Sequence, residues 1–274
     1  MKADFYSKLN IEVNKDIVSL MDSDFVLVLG VMPSRDDELF NLLSKNAIVA
    51  YLSVIEDKNM SGITAFQSRY EAGSEEGVLA ILAKGLLNDK QIDTKTKEFF
   101  ENLDEGYLSA ECNIGEEEIE DLNILYKKSK NPIIVIGHDL YNHPRAKNLA
   151  NLISLLVRHG NFKIYSQDLD FTCEHNDNLD LENIEDLHSF DGSVIYECPS
   201  SDLDEQELLI GSRQFMIASK VKDEQDVFVI TESAEHQRKF VMDTELKGTV
   251  ALMPSAQSEG SYFYKIAKII KREN

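Results

Sequence analysis

Asp24-Phe25-Val26-Leu27-Val28-Leu29-Gly30 is the stretch that decides the fold. A run that is apolar at every position, not every second one, belongs to a strand buried on both faces, as in parallel sheets. Gly30 ends it, Pro33 follows, and a helix is expected from about Ser34, with Asp36, Asp37 and Glu38 in its first turn and Lys45 near its end. Those charges suit the two ends of the helix dipole. Ala47-Ile48-Val49-Ala50-Tyr51-Leu52 is a second continuous strand. The three segments make one βαβ unit, whose crossover should be right-handed.

Further along, Gly73-Ser74-Glu75-Glu76-Gly77 opens the next helix, with Ser74 as its expected N-cap and Val78, Leu79, Ile81, Leu82 and Leu86 as its apolar face. Asn88 to Asn113 reads as polar and irregular. Glu116 to Lys128 is an acidic-start helix bearing Ile119, Leu122, Leu125 and Tyr126, with lysines at its end and Pro132 as its stop. A second βαβ-like unit begins at Pro132-Ile133-Ile134-Val135-Ile136-Gly137. It continues through a helix started near Pro144 and closed by Gly160, then a strand at Lys163-Ile164-Tyr165. Residues 166–192 read as an acidic loop with a short helix around Asn183 to His188.

Ser193-Val194-Ile195-Tyr196 is expected as the last strand of this sheet. Short runs follow at Gln214–Ala218, Val227–Thr231, Lys239–Val241 and Thr249–Leu252, and the tail Tyr262–Ile270 is also read as strand. Their spacing suggests a small β subdomain. The expected class is therefore α/β: a Rossmann-like, mostly parallel sheet flanked by helices over residues 1–198, and a small β-rich subdomain over 199–274.

Composition narrows the function classes. Acids outnumber bases 49 to 28, for a net charge of −21. Such a surface repels nucleic acid and anionic lipid, since both are bound by neutralising phosphate with Lys and Arg. It favours solubility and docking against a basic partner. The sequence holds no apolar run of the roughly 18 residues that a membrane span requires, and the N-terminus lacks a signal-peptide core, so a cytoplasmic location is expected. Cys112, Cys173 and Cys198 are scattered with no CxxC pair. Iron–sulfur and structural zinc sites need clustered thiolates, so neither is expected, and scattered cysteines fit a reducing compartment.

Candidate chemistry sits at strand ends. Gly30-Val31-Met32-Pro33 lies where open α/β sheets bind ligands, yet no GxGxxG or GxxxxGK[ST] accompanies it, and the three acids that follow repel phosphate. An ordinary strand-to-helix turn is the better reading. Gly73-Ser74 offers a helix N-terminus, but Glu75 and Glu76 already complement its dipole. Gly137-His138-Asp139 with His143 offers two imidazoles and a carboxylate for zinc or acid–base work, without a third convergent ligand. Cys173-Glu174-His175 has the same weakness, and His159, His188 and His236 read as surface residues. No nucleophile elbow or HExxH motif is present. No catalytic residue, metal ligand or cofactor is expected in this chain.

Several segments in order resemble a known family. They are Phe25 to Gly30, Arg69-Tyr70-Glu71-Ala72-Gly73-Ser74-Glu75-Glu76-Gly77 through Leu82, Asn131 to Gly137, His143-Pro144-Arg145-Ala146, Gly211-Ser212-Arg213-Gln214-Phe215 and Leu246 to Leu252. Together they look like the molybdopterin-oxidoreductase-type C-terminal region of the large iron–sulfur subunit of bacterial NADH-quinone oxidoreductase, respiratory complex I. The resemblance spans most of residues 20–270. It implies an electron-transport subunit of the peripheral arm, on the cytoplasmic side of the inner membrane, partnered by other peripheral-arm subunits. The family's cluster-binding cysteines lie upstream of such a region and have no counterpart here. This chain thus resembles a non-catalytic structural and docking portion, in a complex whose activity lies elsewhere.

The alternative is a pterin- or nucleotide-binding domain of a formate-dehydrogenase-like molybdenum enzyme, with Gly30, Met32, Gly73, Ser74 and Gly137 as its binding positions. Members that bind the pterin dinucleotide usually carry Gly-x-Asn-Pro after the first strand, where this chain has Met32 in place of the Asn. They also favour Gly-Thr-Asp-like loops where this chain has Gly73-Ser74-Glu75. Both departures argue against a bound dinucleotide.

Overall fold

The computed structural model describes residues 2–9, 13–14, 17–46, 48–167, 179–256 and 261–272. The chain divides into two compact units, Met1–His188 and Ser189–Asn274.

In the first unit, chain order runs α1 (Lys2–Leu9), β1 (Val13–Asn14), α2 (Ile17–Met21), β2 (Phe25–Leu29), α3 (Asp37–Leu43), β3 (Val49–Ser53) and β4 (Phe66–Arg69). Helices α4 (Glu75–Leu86), α5 (Thr94–Glu101), α6 (Glu105–Cys112) and α7 (Glu116–Tyr126) follow. The unit ends with β5 (Pro132–Ile136), α8 (His138–Tyr141), α9 (Ala146–Gly160) and β6 (Lys163–Tyr165). The sheet is parallel throughout, in the order β1-β6-β5-β2-β3-β4. From β2 the chain steps outward to β3 and β4, then returns to β5 on the other side of β2. The strand order therefore reverses between β2 and β5, whose ends align as Leu29↔Ile136.

The continuous apolar runs are explained by burial on both faces. Val26, Val28, Val49, Tyr51, Ile133 and Val135 form one face, packed with Leu20 of α2 and Leu39, Leu42 and Leu43 of α3. The alternate residues Leu27, Leu29, Ala50, Leu52 and Ile134 are just as buried. Helix α4 packs on α9, α6 and α7, and α9 packs on α1.

The region from Asn88 to Asn113, expected to be irregular, contains α5 and α6. Asp93 and Asp104 cap them, accepting from the N–H groups of Thr96 and Tyr107 at 3.0 Å each, while Phe99, Phe100, Leu108 and Cys112 are buried. Each helix has only a few apolar residues, which hides it from a periodicity search. Strand β4 is likewise unannounced by the sequence; only partly buried at an edge, its Phe66-Gln67-Ser68-Arg69 has little apolar signal. Helix α9 ends at Gly160 as expected, and it is Asn161 just beyond that takes the left-handed conformation (φ 59°). Residues Asn183 to His188 are not helical. Ala47 and Cys173-Glu174-His175 lie outside the described residues.

The second unit holds β7 (Val194–Tyr196), β8 (Leu208–Gly211), α10 (Arg213–Ala218), β9 (Asp226–Ile230), β10 (Glu235–Met242), β11 (Val250–Leu252), β12 (Tyr264–Ile266) and β13 (Lys268–Lys271). Its sheet order is β12-β7-β11-β8-β10-β9-β13, with mixed directions. Ala267 alone separates β12 from β13, the two outermost strands, so the sheet must curl to bring its margins together. Ile195, Leu209, Val227, Val229, Phe240 and Ala251 pack in its core, joined by Phe215 of α10.

Three expectations change here. Val194–Tyr196, read as the last strand of the first sheet, pairs with β11 and β12 of the second. The division accordingly falls between His188 and Ser189, ahead of the expected 198/199 boundary. Gln214–Ala218 is helix, not strand, because the Ser212 hydroxyl caps it by accepting from the Phe215 N–H at 3.0 Å.

Candidate functional site at the carboxyl edge of the parallel sheet

The reversal of strand order between β2 and β5 is where an open α/β sheet offers a crevice to ligands. Here the two turns that would flank it are bonded to each other. Gly137 N–H donates to the Leu29 carbonyl at 3.0 Å, and Asp139 N–H donates to the Gly30 carbonyl at 3.0 Å. Gly30 has φ +69°, and the space its side chain would take is filled by Leu140, whose Cγ lies 2.5 Å from an ideal Cβ. At Gly137 a Cβ would lie 2.2 Å from the Gly30 oxygen. The glycines serve a close approach of backbone to backbone.

Backbone donors near the first turn are taken by the protein's own carboxylates. Asp57, almost wholly buried, accepts from Ser34 N–H at 3.2 Å and from Asn59 N–H at 3.2 Å. Asp36 accepts from Leu39 N–H at 3.0 Å and so caps α3. Met32 precedes a 3-10 turn over Pro33–Arg35, with Tyr51 Oη donating to the Val31 carbonyl at 3.2 Å.

The turn before α4 comes to the same edge. Gly73 has φ +82°. Ser74 does not cap the helix with its side chain; its hydroxyl donates backward to the Glu71 carbonyl at 2.7 Å. Glu75 and Glu76 are buried, together with Asp139, His143 and Asn148. Arg145 Nε donates to both oxygens of Glu76, at 3.1 and 3.3 Å, and Asn148 Nδ2 donates to Glu76 Oε1 at 2.6 Å. Burial still holds the Glu76 carboxyl above its ordinary range, against the pull of Asn148 and Arg145. The guanidinium also meets Glu182 at 2.8 Å, Glu185 at 3.2 Å and the Asn183 carbonyl at 3.1 Å. Asn148 exchanges two further bonds with the backbone of Glu182, and Asn151 Nδ2 donates to the Asp180 carbonyl at 2.7 Å. The segment after β6 is thereby strapped across the start of α9.

The histidines diverge. His143 Nδ1 accepts from Arg145 N–H at 3.0 Å, which leaves the ring proton on Nε2, 3.4 Å from the Gly73 carbonyl and 3.4 Å from Glu75. Burial, aided by the Arg145 charge, lowers its pKa to about 4, so it is neutral. His138 Nε2 instead lies 3.5 Å from Asp139. Among the described residues no group of three His, Cys, Asp or Glu is placed to hold a metal ion. His159 approaches Asp93 at 3.7 Å, His188 is exposed, and His236 is half-buried in the second unit, its pKa lowered by burial.

Gly30, Met32, Gly73, Ser74 and Gly137 thus do meet at one edge of one sheet, but around an acid-rich, internally bonded cluster. A pterin dinucleotide or nucleotide phosphate does not fit it. The donors that would receive an anion already serve Asp57, Asp36 and Glu76, and the carboxylates of Glu75, Glu76 and Asp139 stand where negative charge would go. Sequence reading missed Asp57, Arg145, Asn148 and Asn151 as parts of this cluster. No helix among the described residues is long and apolar enough to cross a membrane. No protein-family model matches the chain, and no functionally curated protein matches it.

Proposed function

We propose that the chain is a non-catalytic structural and docking portion of the large iron–sulfur subunit of a respiratory NADH-quinone oxidoreductase, with no cluster or cofactor of its own. The family rests on the ordered resemblance of the segments quoted above. The observation that carries the non-catalytic part is the closure of the carboxyl edge: Asp139 N–H is bonded to the Gly30 carbonyl, and Glu76 is neutralised by Arg145. An α/β module closed at its ligand-binding edge contributes surface. In this reading it buries that surface against other peripheral-arm subunits, on the cytoplasmic side of the inner membrane.

The test is elemental mass spectrometry of the purified chain, nucleotide release on denaturation, and mixing with the peripheral-arm subunits followed by size exclusion. The expected result is neither metal nor nucleotide in stoichiometric amount, and co-elution with the arm. Stoichiometric molybdenum or a guanine nucleotide would overturn the reading in favour of the pterin-binding alternative. Failure to co-elute would overturn the docking role.

A further inference from the structure

Residues 180–187, the strap over α9, make no backbone-to-backbone hydrogen bond among the described residues. Side chains hold them instead. Arg145, Asn148 and Asn151, three residues apart along the start of α9, meet the strap in reverse order. Arg145 donates to the Asn183 carbonyl at 3.1 Å, and Asn151 donates to the Asp180 carbonyl at 2.7 Å. Between them Asn148 both donates to the Glu182 carbonyl and accepts from the Glu182 N–H, at 3.0 Å each. A carboxamide, with one acceptor beside one donor, is the complement of a peptide bond. Positions three apart on a helix rise about 4.5 Å, while an extended chain advances about 3.3 Å per residue, so successive turns can address successive peptide groups. Asn148 and Asn151 lie buried beneath the strap.

At its other end, Leu187 N–H donates to the Tyr107 hydroxyl of α6 at 2.9 Å. The Leu187 side chain covers α4 at Gly77, where a Cβ would lie 2.9 Å from Leu187 Cδ1. Little else holds the strap down. Asp180, Glu182, Asn183, Glu185 and Asp186 are exposed, and Leu181, Ile184 and Leu187 are only partly buried. A cleft of about 460 Å³ lies between Ile184 of the strap and Phe99, Leu103 and Leu108 of the α5–α6 region. Arg145 pairs with Glu182 and Glu185 while also bonding Glu76. Segments with few buried apolar contacts and exposed hydrogen bonds are the ones that open locally.

We propose that residues 180–187 are a latch on a peptide-reading stripe of α9. The latch opens as one piece while the first unit stays folded, and an acidic, non-helical segment of a partner protein then takes its place. The partner chemistry is read from the occupant that the stripe already holds. Its carbonyls must be free, which a helix does not allow, and its acids must meet Arg145. Exchanging one acidic segment for another leaves the charge at the stripe unchanged. The latch goes beyond the respiratory assignment and does not depend on it.

The test begins with amide hydrogen exchange of the full chain. The Glu182 and Leu187 amides should exchange at least about 100-fold faster than that of Val26, which donates to the Ile48 carbonyl inside the sheet. Two variants then ask whether the strap is one unit. Glu182→Pro removes an N–H at one end and should lower the protection of Leu187 by at least about ten-fold. Tyr107→Phe removes the acceptor at the other end and should do the same to Glu182. Val26 should be unaffected in both. Finally, a fluorescein-labelled peptide copying residues 180–188 is titrated by anisotropy. A closed latch reduces apparent affinity by the fraction of time it is open, so the peptide should bind Glu182→Pro at least about ten-fold tighter than wild type. It should also bind that variant about ten-fold tighter than a scrambled peptide of the same composition does. Adding Asn151→Leu, with circular dichroism confirming the fold, should weaken binding at least about five-fold. Strap amides as protected as Val26, loss of protection confined to the altered end, or equal binding of the copied and scrambled peptides would overturn the proposal.

Discussion

Arg145 grips Glu76 by both carboxylate oxygens, its Nε 3.1 and 3.3 Å from them, across the interface of α9 and α4. The carboxylate is almost wholly buried, whereas the guanidinium reaches partly into solvent. Removing the cation leaves a buried charge that only Asn148 still bonds; removing the charge leaves a partly exposed arginine that keeps its bonds to Glu182, Glu185 and the Asn183 carbonyl. The pair is therefore asymmetric in its consequences.

Arg145→Met should cost about 3 kcal/mol in urea unfolding, and Glu76→Gln about 1 kcal/mol. The double variant should recover part of the loss. The sign with pH is set by burial, which holds the Glu76 pKa above its ordinary value. A carboxyl whose folded-state pKa is raised favours the fold while protonated, and that contribution is lost as pH rises through the raised value. Losing Arg145 raises the pKa further, so the Arg145→Met deficit should grow from mildly acid to mildly alkaline pH. A deficit that shrinks as pH rises would refute this account of the pair.

His143 makes the opposite pH prediction. Its pKa falls from 6.5 to about 4 on folding because burial penalises the imidazolium and Arg145 adds repulsion, outweighing the Gly73 carbonyl. Between those values the unfolded chain holds a proton that the native chain does not. Stability is then fully present above the unfolded value and is lost as pH falls through this window, by about 3 kcal/mol over its whole span. His143→Asn should flatten the urea-midpoint profile between pH about 7 and about 5, a range above the ordinary titration of carboxylates. Profiles of equal slope would show that His143 is not buried neutral.

The fold was legible where one physical cause dominates a whole segment. Strands β2 and β5 announce themselves because both faces are buried, so every position is apolar. Helices α5 and α6 do not, since each is fastened by one aspartate cap and a few buried side chains, a signal that resembles a polar loop. Val194–Tyr196 is a short apolar run bounded by loops, and nothing in three residues says which sheet will take it. At the carboxyl edge, Gly30, Gly73 and Gly137 were legible because glycines after strands mark close approaches. The bond between Glu76 and Arg145 joins residues far apart in the chain, and only the packing of α4 on α9 brings them together.

Gly137 tests whether the closed edge is a matter of backbone contact. An alanine there sets a methyl 2.2 Å from the Gly30 oxygen and 2.4 Å from Val31 Cβ, and neither atom belongs to a flexible side-chain end. Gly137→Ala should destabilise by about 3 kcal/mol or more, or fail to fold. Gly62→Ala is the contrast, since its methyl would meet nothing within 4 Å. That change should be neutral or stabilising by a few tenths of a kcal/mol, about 0.5 at most, through the unfolded chain. Thermal melts of the two variants side by side decide the matter, and a benign Gly137→Ala would mean that the two turns are not in contact.

Cys112 reports on the other side of α4. Its sulfur occupies the space beside Gly77, where a Cβ would lie 2.6 Å from it, and its thiol donates to the Ser74 carbonyl at 3.6 Å. Burial pushes its pKa up to about 12, with Glu75 and Glu111 adding repulsion. Reaction with iodoacetamide requires both exposure and thiolate, so near pH 8 (with about one thiolate in ten thousand at that pKa) native Cys112 should stay unlabelled while the urea-unfolded chain labels readily. Peptide mass spectrometry identifies the residue. Because α6 packs on α4 through this contact, the slow native labelling rate measures how often the two helices part. Gly77→Ala, which pushes its methyl into the sulfur, should raise that rate. Native labelling as fast as in urea would mean that α4 does not cover Cys112 at all.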